Sequence, residues 1–216
     1  MHISVWVTMF CKEIKDTPLL EWIAIVFAVA EVLLARSNKM LLYPAGIIST
    51  TIYIWLFIRP GTKLYADAIL NTYYLIMSIY GWVLWSGKWS RRKEVEISAS
   101  NPKEWKMILF FVAVGWVLLY VMLVKVFVFL FPWYVPSDVA LWDAFVSASA
   151  WVGMWLLAKR KIENWLLLNV SNLAAIPLYI YKGMPFTACL TLFLFIVAIF
   201  GYVEWRKQYR QVQVAA

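Results

Sequence analysis

The sequence predicts an all-α integral membrane protein with seven transmembrane helices. Hydrophobic residues make up 64% of the 216 positions and charged residues only 15%. A soluble domain is nearer about 45–50% apolar and about 25% charged. No hydrophilic stretch is long enough to form a second domain, so we expect residues 1–216 to form a single transmembrane domain.

The spans follow from runs of about 20 mostly apolar residues, the length that crosses a bilayer as a helix. Strands are excluded because no run shows the ten-residue alternation of a membrane barrel. Turn-forming residues such as Pro60, Pro102, Pro132 and Gly183 separate the runs. The predicted spans are residues 18–36, 40–59, 64–86, 105–131, 139–158, 163–181 and 184–205. The apolar first 11 residues lack a basic start and a cleavage pattern, so we expect an interfacial segment there.

Two stretches of the chain resemble each other. Leu34 and Leu157 begin matching segments 123 residues apart, and Trp85 and Trp205 end them 120 residues apart. Spans 1–3 (residues 18–86) and spans 5–7 (residues 139–205) therefore form two repeats. Each repeat contains a short hinge, at residues 59–63 in the first and 182–185 in the second. Span 4 (105–131) returns the chain to its starting side, so the repeats are parallel, as in several transporter folds.

The basic residues predict the orientation. With seven spans, the side that holds the N-terminus collects 5 of them and the other side 14. Because basic loops stay in the cytoplasm, we expect the N-terminus outside and the C-terminus inside. The 14 are Arg36, Lys39, Lys88, Arg91, Arg92, Lys93, Lys103, Lys106, Lys159, Arg160, Lys161, Arg206, Lys207 and Arg210.

Several function classes are unlikely on composition. The net charge of +8 resides in loops between spans and does not indicate nucleic-acid binding. Cys11 and Cys189 have no metal-ligand spacing, and the single histidine is His2, so we expect neither a metal nor a cofactor. Hydrolase, kinase and dinucleotide-binding signatures are absent from the sequence, which favours a transporter over an enzyme.

Polar side chains within the spans are the candidate site. Trp165, Asn169 and Asn172 lie on one face of span 6, since they are spaced i, i+4 and i+7. Such amides either bond neighbouring helices or line a cavity. On span 3, Asn71 and Tyr74 are separated by one turn.

Polar residues recur at equivalent depths in the two repeats. The repeat alignment pairs Ser49 with Asn172 and Asn71 with Thr191, which favours a cavity between the repeats. Glu31 is the one carboxylate deep in span 1. It is either a counter-charge for a cationic ligand or the partner of a basic loop residue.

These residues resemble the PnuC family of bacterial vitamin transporters over about residues 20–206. The matching pieces are Tyr43-Pro44-Ala45-Gly46-Ile47-Ile48, Leu64-Tyr65-Ala66-Asp67, Ile79-Tyr80-Gly81-Trp82 with Trp85, Trp142-Asp143, Glu163-Asn164-Trp165 with Asn172, and Gly201 with Trp205. The resemblance implies a 3+1+3 fold similar to the SWEET sugar transporters, a homotrimer, and a place in the bacterial cytoplasmic membrane. It also implies facilitated diffusion of a vitamin, which a cytosolic kinase then phosphorylates and traps.

Carried over from the family, Trp165 and Asn172 match its substrate site between the repeats. Leu168 stands where the family has a second Trp, and Asn71 where it often has Gln. The predicted site therefore consists of Trp165, Asn172, Asn71, Tyr74, Asn169, Glu31 and Ser49. Because nicotinamide riboside and thiamine both carry a positive charge, Glu31 does not separate them, and both remain open as substrates.

Other functions also remain open at this point. Riboflavin is a third possible substrate, and a SWEET-like sugar permease is a rival transporter. An intramembrane enzyme or an assembly subunit would be a different class altogether. In the transport mechanism that we expect, spans 1–3 move against spans 5–7 without ion coupling, and Gly46, Gly81 and Pro177 permit bending.

Overall fold

The computed structural model of the chain describes residues 3–59, 65–87 and 95–215. An α-helix coincides with each predicted span, with ends that differ by a few residues, except that the last helix continues to Ala215, ten residues beyond its predicted end. The predicted hinge at residues 60–63 and the basic loop at 88–93 lie outside the described residues. The helices, in chain order, are α1 (Ile3–Asp16), α2 (Leu19–Arg36), α3 (Leu42–Ile58), α4 (Tyr65–Trp85), α5 (Pro102–Leu130), α6 (Ala140–Ala158), α7 (Asn164–Tyr181) and α8 (Pro185–Ala215).

The chain is an all-α, multi-pass membrane protein, as the sequence predicts. In the part of the chain that the structure describes, α4, α5, α6 and α8 are long and apolar enough to cross a membrane. Helices α1 and α2 meet this test together but are bent by 102° where they join. Helix α3 is apolar but shorter, with 17 residues. The count of seven spans therefore stays a prediction, although every predicted run is helical.

Helix α1 is more than the interfacial segment expected from the sequence, because it is attached to the start of α8. The Glu13 carboxylate accepts hydrogen bonds from the backbone N–H groups of Phe186 at 2.8 Å and Thr187 at 3.2 Å. These N–H groups have no partner within their own helix. Phe10 and Trp22 also pack edge-on against the Phe186 ring. Glu13 thus caps α8 from a distant part of the chain.

The segment before α5 is fixed to the turn between α6 and α7. Ser98 forms an isolated parallel bridge with Lys161. The Glu163 carboxylate accepts from the Ser100 backbone N–H at 2.7 Å and from its hydroxyl at 2.9 Å. Glu163, which precedes α7, therefore binds the segment before α5 and does not cap α7 with its side chain. Helix α5 itself begins with a capping box at Asn101 and contains a π-helical stretch, Met122–Val126.

The helices pack in two chain-contiguous groups. Helix α3 packs between α2 and α4, and α7 packs between α6 and α8. The groups meet twice, because α4 contacts α6 and α2 contacts α8. The third helix of each group thus contacts the first helix of the other. Helix α5 packs on α6 beside these six helices.

Hydrogen bonds inside the two groups correspond to each other. The Ser49 hydroxyl donates to the Ala24 carbonyl at 2.9 Å, and the Ser171 hydroxyl donates to the Val146 carbonyl at 2.9 Å. Both bonds join the second helix of a group to its first helix. They align Ser49 with Ser171, so the predicted pairing of Ser49 with Asn172 is wrong by one residue.

Glycines accommodate large side chains at matching places in the two groups. A Cβ on Gly201 would lie 2.7 Å from atoms of the Trp165 ring, and a Cβ on Gly81 would meet the Tyr43 ring still more closely. We expected Gly81 to permit bending, but the structure shows that it leaves room for an aromatic ring of the neighbouring helix.

Each group has a second close contact between its first and second helices, but the helix that carries the glycine differs between the groups. In the first group, Gly46 on α3 faces the Glu31 carboxyl of α2, with Oε1 2.5 Å from an added Cβ. In the second, Gly153 on α6 faces Leu168 of α7 at 3.0 Å. The small residue is on the second helix in one case and on the first helix in the other. In each group, a glycine of one helix thus leaves room for a large side chain of the other.

These contacts predict the effect of adding one methyl group. Gly201→Ala should destabilise the protein by about 1–3 kcal/mol because the Trp165 ring has no free space into which to move. The matched control is Gly115→Ala, where the nearest atom, the Ala148 Cβ, lies at an ordinary 3.5 Å. Thermal unfolding of both variants in detergent measures the difference. Equal melting temperatures for the two variants would show that the Trp165 contact is not tight.

Candidate functional site

One end of the helix bundle is closed by two reciprocal hydrogen bonds between the groups. The indole N–H of Trp85, at the end of α4, donates to the Ala158 carbonyl of α6 at 3.1 Å. The indole N–H of Trp205 on α8 donates to the Ala35 carbonyl of α2 at 2.9 Å. Both acceptors belong to the last turn of a helix, where carbonyls lack helical partners. A buried indole needs such an acceptor, so each bond satisfies two polar groups.

Further aromatic contacts complete this closed end. Trp165 packs edge-on against Trp205 with 5.7 Å between ring centroids, and Tyr43 packs edge-on against Trp85 at 5.1 Å. The Arg160 guanidinium lies 3.8 Å from the centroid of the Trp85 ring, within range of a cation–π interaction. All four rings are almost fully buried.

A cavity of about 720 Å³ occupies the opposite end of the bundle, where α4 and α6 begin and α7 ends. It lies between the two groups, bounded by α4 from the first and by α6, α7 and α8 from the second. The structure brings three of the predicted site residues together in it: Asn71, Tyr74 and Asn172. Its other polar lining residues are Asp67, Tyr134, Ser137, Asp138, Asp143, Ser147, Ser171, Tyr179, Lys182 and Thr191.

Some of these polar groups are satisfied within their own helix and others are free to bind. Asn71 Nδ2 donates to the Asp67 carbonyl at 2.9 Å, and the Thr191 hydroxyl donates to the Thr187 carbonyl at 2.8 Å. Within the described residues, the side chains of Tyr74 and Asn172 have no hydrogen-bond partner. Their polar groups face a cavity and are available to a ligand.

Charged residues surround the mouth of the cavity. Lys182 Nζ is 2.6 Å from the Asp143 carboxylate, and the Tyr181 hydroxyl donates to Asp138 at 2.6 Å. Asp143, in the first turn of α6, therefore forms an ion pair with the end of α7. Burial raises the pKa of the Tyr134 phenol, and the nearby carboxylates of Asp67 and Asp143 add to this effect. Tyr134 thus stays protonated at neutral pH and keeps its donor.

A layer of unsatisfied polar atoms lies between the cavity and the closed end. Ser78 is one turn beyond Tyr74 on α4, and Asn169 is about one turn before Asn172 on α7. Ser78 Oγ and Asn169 Oδ1 are buried without a hydrogen-bond partner among the described residues. The same holds for Glu31 Oε1, Tyr43 Oη and Trp165 Nε1. Burying such atoms is costly, so this layer would gain stability when water or a polar ligand enters.

Four predicted site residues do not line the cavity. Trp165 belongs to the closed end, and its ring is 1% exposed. Asn169 and Glu31 belong to the unsatisfied layer, and the Ser49 hydroxyl is occupied by its bond to α2. In this conformation helical packing puts the predicted residues at two depths, and their joint role in binding a substrate stays a prediction.

Sequence reasoning missed several cavity residues. Tyr179 lies seven residues after Asn172 on α7, so the same helical spacing that grouped the amides could have included it. Asp67 precedes Asn71 by one turn, so the helical spacing of span 3 could have included it in the site. Tyr134 belongs to the connection between α5 and α6, where no periodicity indicates which way a side chain points.

Comparisons with known proteins agree on one family. A family model described as nicotinamide mononucleotide transporter matches residues 18–207. The nicotinamide riboside transporter PnuC of Escherichia coli (strain K12) is 26% identical over 215 residues, which cover 89% of this chain and 88% of that protein. The PnuC protein of Shigella flexneri matches equally well. The crystal structure of the vitamin B3 transporter PnuC has a similar fold, with a TM-score of 0.67, 20% identity, and coverage of 97% of this chain and 90% of that one.

The reciprocal bonds predict how the closed end responds to mutation. Trp205→Phe keeps an aromatic ring but removes the indole bond to the Ala35 carbonyl, which then keeps the Asn38 backbone N–H at 2.9 Å, and the loss of one such bond costs about 0.5–1.5 kcal/mol. We expect the closed end to open more often. Opening is measured as the labelling rate of Ser78→Cys by a small thiol reagent, in a background with Cys11→Ser and Cys189→Ser.

Trp82→Phe is the matched control, since Trp82 is 40% exposed. We expect labelling to accelerate about fivefold or more for Trp205→Phe and to stay unchanged for Trp82→Phe. Unchanged labelling of the Trp205→Phe protein would mean that this bond does not hold the end closed.

Proposed function

The chain belongs to the nicotinamide mononucleotide transporter family, as its resemblance to PnuC proteins predicted, and we propose that it takes up nicotinamide riboside. It is a membrane transporter, and its relatives are named as transporters and not as enzymes. The observation that carries the proposal is the cavity between the two helix groups, where Asn71, Tyr74 and Asn172 meet. Amides and an aromatic ring suit a flat heteroaromatic ring that carries a hydroxylated sugar.

The charge of the cavity also supports a cationic substrate. Three carboxylates, Asp67, Asp138 and Asp143, line it together with one lysine, Lys182. The excess of negative charge favours a ligand with a fixed positive charge. A neutral sugar would gain nothing from this excess, and neutral riboflavin would gain as little. Both alternatives are therefore less well supported than nicotinamide riboside.

The contacts between helices support a 3+1+3 arrangement of parallel repeats. Helices α2–α4 and α6–α8 have the same internal order of contacts, and α5 connects them. The reciprocal bonds of Trp85 and Trp205 are consistent with a pseudo-two-fold relation between the proposed repeats, whose axis would run along the membrane normal. This is the geometry expected when a fourth span returns the chain to its starting side.

In the proposed orientation, the closed end faces the cytoplasm. Basic residues gather there, including Arg36, Lys159, Arg160 and Arg206, and basic loops stay inside. The cavity then opens to the outside, and the structure corresponds to an outward-facing state. The N-terminus and α1 lie on the outer side of the membrane.

Transport is proposed to proceed by alternating access. The substrate first binds between Asn71, Tyr74 and Asn172, and the closed end then opens as the repeats move against each other. The ring passes into the unsatisfied layer, where Glu31, Trp165 and Asn169 supply a negative charge, a stacking surface and a hydrogen bond. No ion is coupled to this movement. A cytosolic kinase phosphorylates the vitamin, and the charged product cannot return.

Helix α5 is proposed to contact other copies of the chain or lipid. Its most apolar 18 residues have a mean hydropathy of 2.7, and many of its large apolar side chains are exposed, including Phe110, Phe111 and Leu118. A homotrimer that buries this surface would be consistent with the family resemblance.

Thiamine is the second candidate substrate, and a specific residue favours it. Leu168 stands where the family has a second Trp, and it packs against Gly153. This position therefore offers no second aromatic ring beside Trp165. A substrate with different stacking requirements would suit the altered site, and thiamine carries the positive charge that the cavity favours.

The proposal predicts that removing one cavity amide weakens binding. Asn172→Ala should raise the Kd for nicotinamide riboside about fivefold, because one hydrogen bond to a neutral group contributes about 1 kcal/mol. Quenching of the intrinsic tryptophan fluorescence measures binding, since the chain has 14 tryptophans. Thiamine and riboflavin are titrated in parallel.

Ser49→Ala is the matched control, because its hydroxyl is buried outside the cavity lining. It should leave the Kd unchanged. A wild-type protein that binds thiamine but not nicotinamide riboside would transfer the proposal to thiamine. Equal affinities of wild type and Asn172→Ala would exclude this amide from the site.

A further inference from the structure

We propose that Asp67, Tyr134 and Tyr179 form an entry subsite that holds the positively charged ring of the substrate at the mouth of the cavity. The inference rests on the proposed function, which supplies a cationic heteroaromatic substrate. It differs from the roles assigned above, because none of these three residues belongs to the predicted site.

Asp67 is the carboxylate at the mouth that is both shielded and unpaired. Asp143 is neutralised by Lys182 at 2.6 Å, and Asp138 is exposed to water and accepts from Tyr181. Asp67 is partly buried, and apart from its own backbone its carboxylate has no hydrogen-bond or salt-bridge partner among the described residues. Lys182, which is bonded to Asp143, also acts on it electrostatically. An unpaired charge in such a place attracts a cation more strongly than an exposed carboxylate does.

Two tyrosines accompany this carboxylate in the cavity wall. Tyr134, from the connection between α5 and α6, and Tyr179, from α7, both line the cavity with Asp67. Both phenols lie within the electrostatic range of the Asp67 carboxylate. Aromatic faces stabilise a cationic ring by stacking and by cation–π interaction. The three side chains thus combine a negative charge with two aromatic surfaces.

The position of the deeper polar groups gives the bound substrate a direction. Tyr74 lies seven residues beyond Asp67 on α4, about 10 Å further along the helix. Its hydroxyl and the amide of Asn172 are deep in the cavity, lack partners among the described residues, and face the same space. With the charged ring held at Asp67, the hydroxyl groups of the sugar would reach these donors and acceptors. The ring is then outermost when the substrate arrives.

The experiment compares a cationic ligand with a neutral one of nearly the same shape. Nicotinamide riboside carries a charge on its ring, and dihydronicotinamide riboside does not. The Kd of each is measured by tryptophan fluorescence for the wild type, for Asp67→Asn, and for the matched control Asp138→Asn. The control removes the same charge from an exposed position at the same mouth.

We expect Asp67→Asn to raise the Kd for nicotinamide riboside about tenfold or more and to leave the Kd for the dihydro form within about twofold. Asp138→Asn should change both values by less than about threefold. Asp67→Glu, which restores the charge, should recover most of the affinity for the cation. It also keeps the test decisive if Asp67→Asn does not fold.

Three outcomes would overturn the inference. Equal losses for both ligands in Asp67→Asn would show that Asp67 supports the start of α4 and does not recognise charge. Unchanged binding of the cation in Asp67→Asn would exclude a counter-charge at this position, while the proposed function would stand. Failure of the wild type to bind either ligand would overturn the proposed function together with the entry subsite.

Discussion

Trp85 and Trp205 are buried and need hydrogen-bond acceptors, and the two bonds that they form determine how the helix groups meet. An indole N–H within a membrane has no water to bond, so it must reach a carbonyl that its own helix does not use. Trp85 and Trp205 each find one in the last turn of a helix of the other group. Because both bonds cross between the groups at the same end, that end closes. The space left between the groups at the other end is the cavity.

The tight contacts around this closed end have a common physical basis. Tyr43 and Trp165 can approach Trp85 and Trp205 only because Gly81 and Gly201 carry no side chain. Each aromatic ring thus depends on a glycine of the neighbouring helix. Close packing of this kind has discrete arrangements and does not deform continuously. The closed end is therefore suited to be either shut or open, which is what alternating access requires.

Much of the fold could be predicted from the sequence, because membrane helices depend on local properties. Runs of apolar residues located α2 to α8, and the repeated Trp-ended segments indicated two corresponding groups. The contact of Glu13 with α8 was not predictable, since it joins residues 173 positions apart. The predicted register between the groups was one residue off at Ser49, because the alignment started from Leu34 and Leu157, 123 residues apart, whereas the corresponding hydrogen bonds of Ser49 and Ser171 are 122 residues apart.

The candidate site was predictable only in part. Helical spacing identified Asn71, Tyr74 and Asn172, which the structure brings into one cavity. The same spacing could not show that Trp165 packs into the closed end, because depth along a helix depends on which neighbouring side chains fill the space. Asp67 and Tyr134 depend on how the ends of helices and their connections come together. This information resides in the tertiary packing and not in any periodic pattern.

The most direct test of the account is a structure of the full chain with nicotinamide riboside bound. The account predicts density for the ligand within the cavity between the helix groups, contacting Asn71, Tyr74 and Asn172, while the Trp85 and Trp205 bonds remain intact. Ligand density elsewhere would contradict it, for example in the groove between α4, α5 and α6 beside Tyr73 and Trp151.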